Sequence, residues 1–371
     1  MHILYDGWSL VHHPISPGSL HLHAILAHLP DEVSPIVALP GPASGWLTGL
    51  DARVHHVPDT PFGRLRWEQI HLPRPARDEG LNLIHLTTPA APVLSELDAI
   101  LSPCGFGNAA GINPGMSESN QILARLRRSL AYGGMVRVKQ ILWPVDLPAP
   151  QLPGQLGRLS PILPPGFDPE RVPESSAGDS SIPELLEHLS LPEEFIIYHG
   201  PGDLRSLEHL MQAWNWAATA IGENYPLVLL GLSPGAVTNL SNLAQEYDLE
   251  SSLHVVGELQ PDLLPHLYQC CRAVFHPAPP SPWSGPVRLA LACGKPLVAS
   301  ENNISAAITG PAAYLAPHGD PRALGAALVT VIVEQQVSDR LSAAANRRAA
   351  NWEMAKFSAQ LRGIYSKSFI E

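Results

Sequence analysis

The chain has 371 residues, which favours about two domains, each large enough to bury its own core. A hydrophobic content of 45% excludes a disordered chain, so the 39 prolines are read as fixed loops and turns. A formal net charge of −11 argues against a nucleic-acid backbone as the main partner, although a few local cations could still hold a small anion.

The first half alternates strands and helices. Residues 2–6 read as a strand, 8–19 as a Pro/Gly loop, 20–29 as a helix and 33–39 as a strand. A helix over 64–77 is expected to stop at Pro73, with strands at 81–86 and 99–102. Ser117 is the expected N-cap of a helix that ends near Gly133 and Gly134, and 135–145 read as a strand pair. The Pro/Gly/Ser-rich stretch from about residue 147 to 184 reads as a linker. The second half is cleaner. Strands are expected at 195–199, 226–231, 253–256, 273–276, 297–299 and 313–315. Helices are expected at 206–221, 236–247, 261–271, 287–293, 321–334 and 339–351. Strict β-α alternation implies doubly wound parallel sheets.

Residues 272–299 carry the most information: strand, Pro/Gly-rich loop, short helix, Gly294 at the helix C′ position, strand. Such a loop aims backbone N–H groups at an anion above the sheet. The stretch resembles the donor-binding loop of retaining family 4, or group 1, glycosyltransferases, which reads roughly P-S-x-x-E-G-F-G-L-P-x-L-E-A-M-A-x-G-x-P-V-V. Ser281 and Leu289 stand at its two glutamates. Residues 198–214, YHGPGDLRSLEHLMQAW, resemble the family's diphosphate loop. Pro201 takes its Arg position, Arg205 its Lys position and Ser206 its Asn position, while Gly200 and Gly202 keep backbone access. Residues 255–277 resemble the segment that places Gly257 and Glu258 beside the nucleotide base, with Tyr268 as scaffold. Gly18 matches the glycine of the first domain's phosphate loop, and Pro103-Cys104 stand where the family has His-Asp.

The resemblance implies a GT-B fold, two Rossmann-like doubly wound parallel-sheet domains facing a cleft. The domains are expected at 1–160 and 161–350, with a terminal helix over 351–371 crossing back to the first. It implies donor-binding residues Gly18, Gly200, Gly202, Arg205, Ser206, Gly257, Glu258, Ser281, Gly285, Val287 and Leu289, the last few through helix N–H groups. It implies transfer of a sugar from a nucleotide sugar to a glycan, lipid or small-molecule acceptor, with retention and without metal or cofactor. Each missing loop glutamate should cost about 1.5–3 kcal/mol of charged hydrogen bonding, and a missing histidine about 10²–10⁴ in rate. The catalytic residues are therefore unknown. The alternative is an inactive relative serving as a binding or partner subunit in glycan or envelope assembly.

The remaining features read plainly. Cys104, Cys270, Cys271 and Cys293 form no C-x-x-C and are expected as free thiols. His12, His13, His21, His23, His55 and His56 do not converge on one helix face and are read as scattered surface groups, not metal ligands. The N-terminus lacks a basic region followed by an apolar run, and no stretch of about 18 uncharged apolar residues is present, so the expected location is cytoplasmic. The helix around 122–130 pairs apolar residues with Arg125, Arg127 and Arg128. Core packing with a solvated face is the expected reading, and peripheral membrane contact the other.

Overall fold

The computed structural model describes residues 1–42, 47, 50–88, 91–93, 95–104, 118–148, 158–166, 186–257 and 259–370. It divides into two compact units. The first comprises Met1–Pro165, Ser281–Trp283 and Glu353–Glu371, the second Gly166–Pro280 and Ser284–Trp352.

Unit 1 is built on β1 (His2–Asp6), β2 (Ser34–Leu39), β3 (Asp51–Val54), β4 (Leu83–Leu86), β5 (Asp98–Leu101), β6 (Val138–Pro144) and β7 (Arg158–Ile162). All pair in parallel in the order β3-β2-β1-β4-β5-β6-β7. Unit 2 carries β8 (Ile196–Tyr198), β9 (Leu227–Leu229), β10 (Leu253–Val255), β11 (Ala273–His276), β12 (Leu297–Glu301) and β13 (Ala313–Pro317). Their order is β10-β9-β8-β11-β12-β13, again all parallel. In each sheet the strand order reverses once, between β1 and β4 and between β8 and β11. Open α/β sheets bind ligands outside the carboxyl ends of such strands.

The helices explain the proline content. In unit 1, α1 spans Trp8–His12, α2 Pro17–Ala27, α3 Pro61–Arg66, α4 Pro73–Glu79 and α5 Glu118–Gly134. In unit 2, α6 spans Leu204–Ile221, α7 Pro234–Glu246, α8 Leu264–Cys270, α9 Gly285–Ala292, α10 Asn303–Thr309, α11 Pro321–Val333 and α12 Gln335–Ala350. The terminal helix α13, Met354–Ile370, belongs to unit 1. Pro17, Pro61, Pro73, Pro234 and Pro321 open their helices, where the missing N–H costs nothing. Ser16, Thr60, Asp203, Ser233, Asn302 and Asp320 cap helix N-termini through their side chains.

Unit 2 packs α11 along α6. A Cβ on Gly325 would lie 2.5 Å from Trp216 Cβ and 2.6 Å from Ala213 O, so only glycine permits that approach. Trp214 is buried beneath it, with Nε1 donating to Ser252 Oγ at 3.0 Å. In unit 1, Tyr365 of α13 is buried against Tyr5 and His85. Its hydroxyl lies 3.0 Å from Tyr5 Oη and 2.6 Å from His85 Nδ1, while His85 Nε2 meets Ser102 Oγ at 2.6 Å.

Several expectations are corrected. Residues 8–19 are not all loop, because α1 fills part of them and Ser16 starts α2. Pro73 does not stop a helix but opens α4. The preceding turn, Trp67–His71, is a π-helix. Residues 135–145 form a 3₁₀ turn and one strand rather than a strand pair. That strand pairs with β7, which lies inside the stretch read as linker. β3 is a further strand the sequence reading passed over. Ser117 and most of the expected linker lie outside the described residues.

Candidate functional site

The loop after β8 starts the site in unit 2. Tyr198 donates its hydroxyl to Pro201 O at 2.6 Å, folding the loop back over its own strand. A Cβ on Gly200 would come within 2.7–2.9 Å of that ring, so the tyrosine itself demands glycine there. Gly202 is held nearly as tightly, with Ala236 Cβ 3.0 Å from a built Cβ. Asp203 then caps α6, accepting from Ser206 N at 3.2 Å and from Ser206 Oγ at 2.7 Å. Ser206 is therefore engaged as part of the cap. Arg205, the second residue of α6, is exposed.

Arg205 does not stand alone as a cation. Burial, the neighbouring His318 and then Arg205 push the His209 pKa down, one helical turn further along. The His209 and His318 rings are 6.0 Å apart, and His318 Nδ1 lies 2.8 Å from Ser300 Oγ in β12. The N-terminus of α6 thus joins an exposed guanidinium and two imidazoles to its own dipole, with the Asp203 carboxylate opposing them.

The loop after β11 lies beside it, because β8 and β11 are hydrogen-bonded neighbours. His276 ends β11 buried, its Nδ1–H donating to Ala278 O at 2.7 Å. Burial lowers its pKa, so it is neutral. The chain then gives Ser281–Trp283 to unit 1. Trp283 is buried there and stacks on His21 with ring centroids 4.3 Å apart. His21 is correspondingly buried, which corrects its reading as a surface group. Chain and unit resume at Ser284, whose φ of 22° and ψ of 66° lie in the region that favours glycine.

Gly285 opens α9 and is buried. Val287 and Leu289 are buried too, Leu289 to 2% exposure. Neither side chain is presented to a ligand as α9 stands. What α9 offers is its first-turn N–H groups, since Ser284 does not cap it through its side chain. Gly257, after β10, is exposed with open space around a built Cβ, and Glu258 lies outside the described residues. Tyr268 is buried as expected of scaffold, and its hydroxyl also holds His199 Nδ1 at 3.0 Å.

In unit 1, Gly18 is the second residue of α2. A Cβ there would meet Thr87 Oγ1 at 3.8 Å, Cys104 Cβ at 3.9 Å and Ser9 Oγ at 3.9 Å, all ordinary contacts. No crowding dictates glycine. Cys104, at the position where a histidine-aspartate pair was sought, is a thiol that burial pushes well up and whose Sγ contacts Ser102 O at 3.4 Å. It is no acid or base. The nearest histidine on these strands, His85, is held neutral by burial, with its pKa lowered to about 3.

Sequence reading missed a buried charge network at the end of β1. Asp6 Oδ1 accepts from Trp67 Nε1 at 2.8 Å and from Trp8 N at 3.1 Å, and its Oδ2 accepts from Arg64 Nη2 at 3.2 Å. Arg64 also donates to Glu68 Oε1 at 2.6 Å and Thr88 Oγ1 at 3.1 Å, and lies 4.8 Å from the Trp8 ring centroid. Arg127 of α5 reaches the same Glu68 with three contacts of 2.7–2.9 Å. The i, i+4 spacing of Arg64 and Glu68 was the only sequence signal. Among the described residues, no group of three His, Cys, Asp or Glu side chains is placed to hold a metal ion. No helix among them is long and apolar enough to cross a membrane.

Residues 193–348 match the family model described as glycosyl transferases group 1. No curated protein matches the chain by sequence. Solved structures match it along its whole length. Sucrose-phosphate synthase from Thermosynechococcus elongatus is 15% identical, with 100% of this chain and 99% of that one covered and a TM-score of 0.66. Anabaena HepE in complex with UDP and glucose is 18% identical, with 99% and 100% covered and a TM-score of 0.66. WaaG, a glycosyltransferase involved in lipopolysaccharide biosynthesis, is 12% identical, with 98% and 99% covered and a TM-score of 0.68. At these identities the likeness establishes the fold, and the fold is GT-B.

Proposed function

We propose a function from one observation: residues 193–348 match the family model described as glycosyl transferases group 1. The protein binds a nucleotide-sugar donor through unit 2 and transfers the sugar, with retention at the anomeric carbon, to a glycan, lipid or small-molecule acceptor. The observation that carries this is the exposed Arg205 at the start of α6, in a loop whose glycines are held by Tyr198 and Ala236, beside the N-terminus of α9. As the glycosidic bond to the diphosphate breaks, negative charge grows on the departing phosphate. A guanidinium and two helix N-termini aimed at that charge stabilise it without reorganising. The chemistry asks for no metal or cofactor. HepE, solved with UDP-glucose, makes uridine sugars the first donors to try.

A second reading has specific support. Leu289 is buried and accepts no hydrogen bond, and the Asp203 carboxylate sits at the helix end that should receive a diphosphate. Both weaken donor binding and favour a non-catalytic partner subunit in glycan assembly. Calorimetry against UDP-, GDP- and ADP-sugars separates the readings. The transferase reading expects binding, turnover with a suitable acceptor, and a loss of about tenfold or more in affinity for Arg205→Ala. Binding without turnover favours the partner role. Silence toward every nucleotide sugar would sink the transferase reading. Ser281→Glu with Leu289→Glu adds a further arm. Tighter donor binding marks an impaired transferase, and destabilisation without tighter binding marks a remodelled pocket.

A further inference from the structure

Helix α5 turns two of its apolar side chains outward. Ile122, Leu126, Ser129 and Gly133 follow one another at i, i+4, i+7 and i+11, share a face, and are all exposed, Ile122 to 63%. The opposite face carries Leu123, Arg127, Leu130 and Gly134. Two contacts fix that orientation. Arg127 is bonded to the buried Glu68, and Gly134 sits so close to Ala91 that a Cβ would lie 2.0 Å from its carbonyl oxygen. The helix cannot roll to hide Ile122 and Leu126 without breaking a buried ion pair. This corrects the expectation of core packing for Ile122 and Leu126, while Leu123 and Leu130 do face inward, half-buried.

The neighbouring helix extends the surface. α3 packs against α5 and exposes Phe62, with Arg66 6.0 Å from its ring, and Ile70 follows at the next turn. Just past the end of α5, Val136 is 78% exposed. The charge of the region is one-sided. Residues 61–71 and 118–137 contain six arginines and two carboxylates, Glu118 and Glu68, the latter 1% exposed and bonded to two of the arginines. Arg66, Arg125 and Arg128 are left facing solvent on a chain whose net charge is −11.

We infer that this face of unit 1 docks on an anionic lipid surface. Apolar side chains interleaved with guanidiniums, in a stretch where arginines outnumber carboxylates, match the boundary between acyl chains and anionic headgroups. The chain lies on the bilayer, since no described helix can span it. Pairing of two copies through this face would oppose like charges. The inference goes beyond the donor reading and does not depend on it.

The test is co-flotation of the full chain with vesicles of phosphatidylcholine alone, and of phosphatidylcholine with about one-third phosphatidylglycerol. Binding is expected to the anionic vesicles only, weakening as salt rises. Arg125→Gln with Arg128→Gln should lower that partition by about tenfold or more, and Ile122→Ser with Leu126→Ser comparably. All four positions are exposed, so melting temperatures should stay unchanged, as should nucleotide affinity in vesicle-free buffer. Failure of the unmodified chain to bind anionic vesicles overturns the inference. So does vesicle binding that neither pair of changes affects, or a dimer that the apolar pair abolishes in a chain indifferent to vesicles. Because nucleotide affinity is read separately, failure here leaves the donor reading standing, and the reverse also holds.

Discussion

The two sheets reverse their strand order in the same way, yet the strands flanking each reversal end in opposite chemistry. In unit 1, β1 ends at Asp6, and Arg64, Glu68 and Arg127 gather there so that two carboxylates meet two guanidiniums, with the Arg127 side chain 35% exposed. In unit 2, β8 and β11 lead into His199 and His276, held by Tyr268 Oη and Ala278 O, and the cation Arg205 stays at the surface. Buried charge that is fully paired specifies a local structure but offers little to a ligand. An exposed guanidinium at the start of α6 can meet an anion. The comparison assigns architecture to the network of unit 1 and, under the proposed function, ligand contact to the loops of unit 2.

The sharpest way to break this comparison is Glu68→Gln. The change keeps shape but leaves Arg64 and Arg127 with only Asp6 for countercharge in the interior. Removing one partner from a buried ion pair typically costs about 3–5 kcal/mol. The expected outcome is a loss of that order in denaturant unfolding, with nucleotide affinity of the surviving folded protein unchanged. A near-neutral Glu68→Gln would mean that the network is solvated and that its charges are available for binding after all.

Acid is the next largest probe, and it acts on both units. His85 in unit 1 is buried and neutral with its pKa lowered to about 3, His23 is lowered to about 4, and burial lowers His276 in unit 2. Each has a folded pKa below its unfolded value, so the unfolded chain takes up the proton first. The stability they contribute is present above about pH 6.5 and is lost as pH falls toward the folded value. For His85, falling from pH 7 to 4.5 should remove about 2–3 kcal/mol. His85→Asn should lower stability at pH 7 yet flatten this part of the pH profile. Unfolding curves across that range, with and without the substitution, decide it. An unchanged slope would show that His85 is not held neutral.

How much of this was legible in the sequence depends on whether a residue's role is local. Asp320-Pro321 announces its helix because cap and first turn are adjacent in the chain, whereas Ser16-Pro17, with the same signal inside a Pro/Gly-rich stretch, reads as loop. Ala273–His276 is a continuous apolar run and reads as a buried strand. Arg158–Ile162 does not, because Pro161 in a Pro/Gly-rich setting argues against a strand. The sheet tolerates it because β7 is an edge, where a missing donor faces outward. The same limit hid the charge network. Arg64 and Glu68 at i, i+4 look like any solvated helix pair, and only packing against Asp6 and Arg127 reveals them as interior. Helix α5 shows the point most sharply. Its periodicity identifies two faces but not which one is inward, and the outcome was set by Arg127, a residue expected in solvent. In the loops of the candidate site, glycine spacing and Arg205 could be read directly, whereas the capture of Ser206 by Asp203 and the burial of Leu289 required the fold.

The smallest expected effect concerns the loop after β11. Ser284 adopts φ 22°, a conformation that costs a residue with a Cβ about 1–2 kcal/mol. Its side chain does not cap α9, so Ser284→Gly forfeits no cap hydrogen bond. Against the relieved strain stands the greater backbone freedom of glycine in the unfolded chain, about 0.5–1 kcal/mol. The balance predicts a gain of at most about 1 kcal/mol, visible as a rise of a few degrees in melting temperature. If the loop of unit 2 is built to receive a ligand, its strain holds the first N–H groups of α9 in place. In that case the stabilised variant should bind nucleotide more weakly than the unmodified chain. A variant that is both more stable and equally tight would show the strain to be incidental, and would move the weight of recognition onto Arg205 and the α6 terminus.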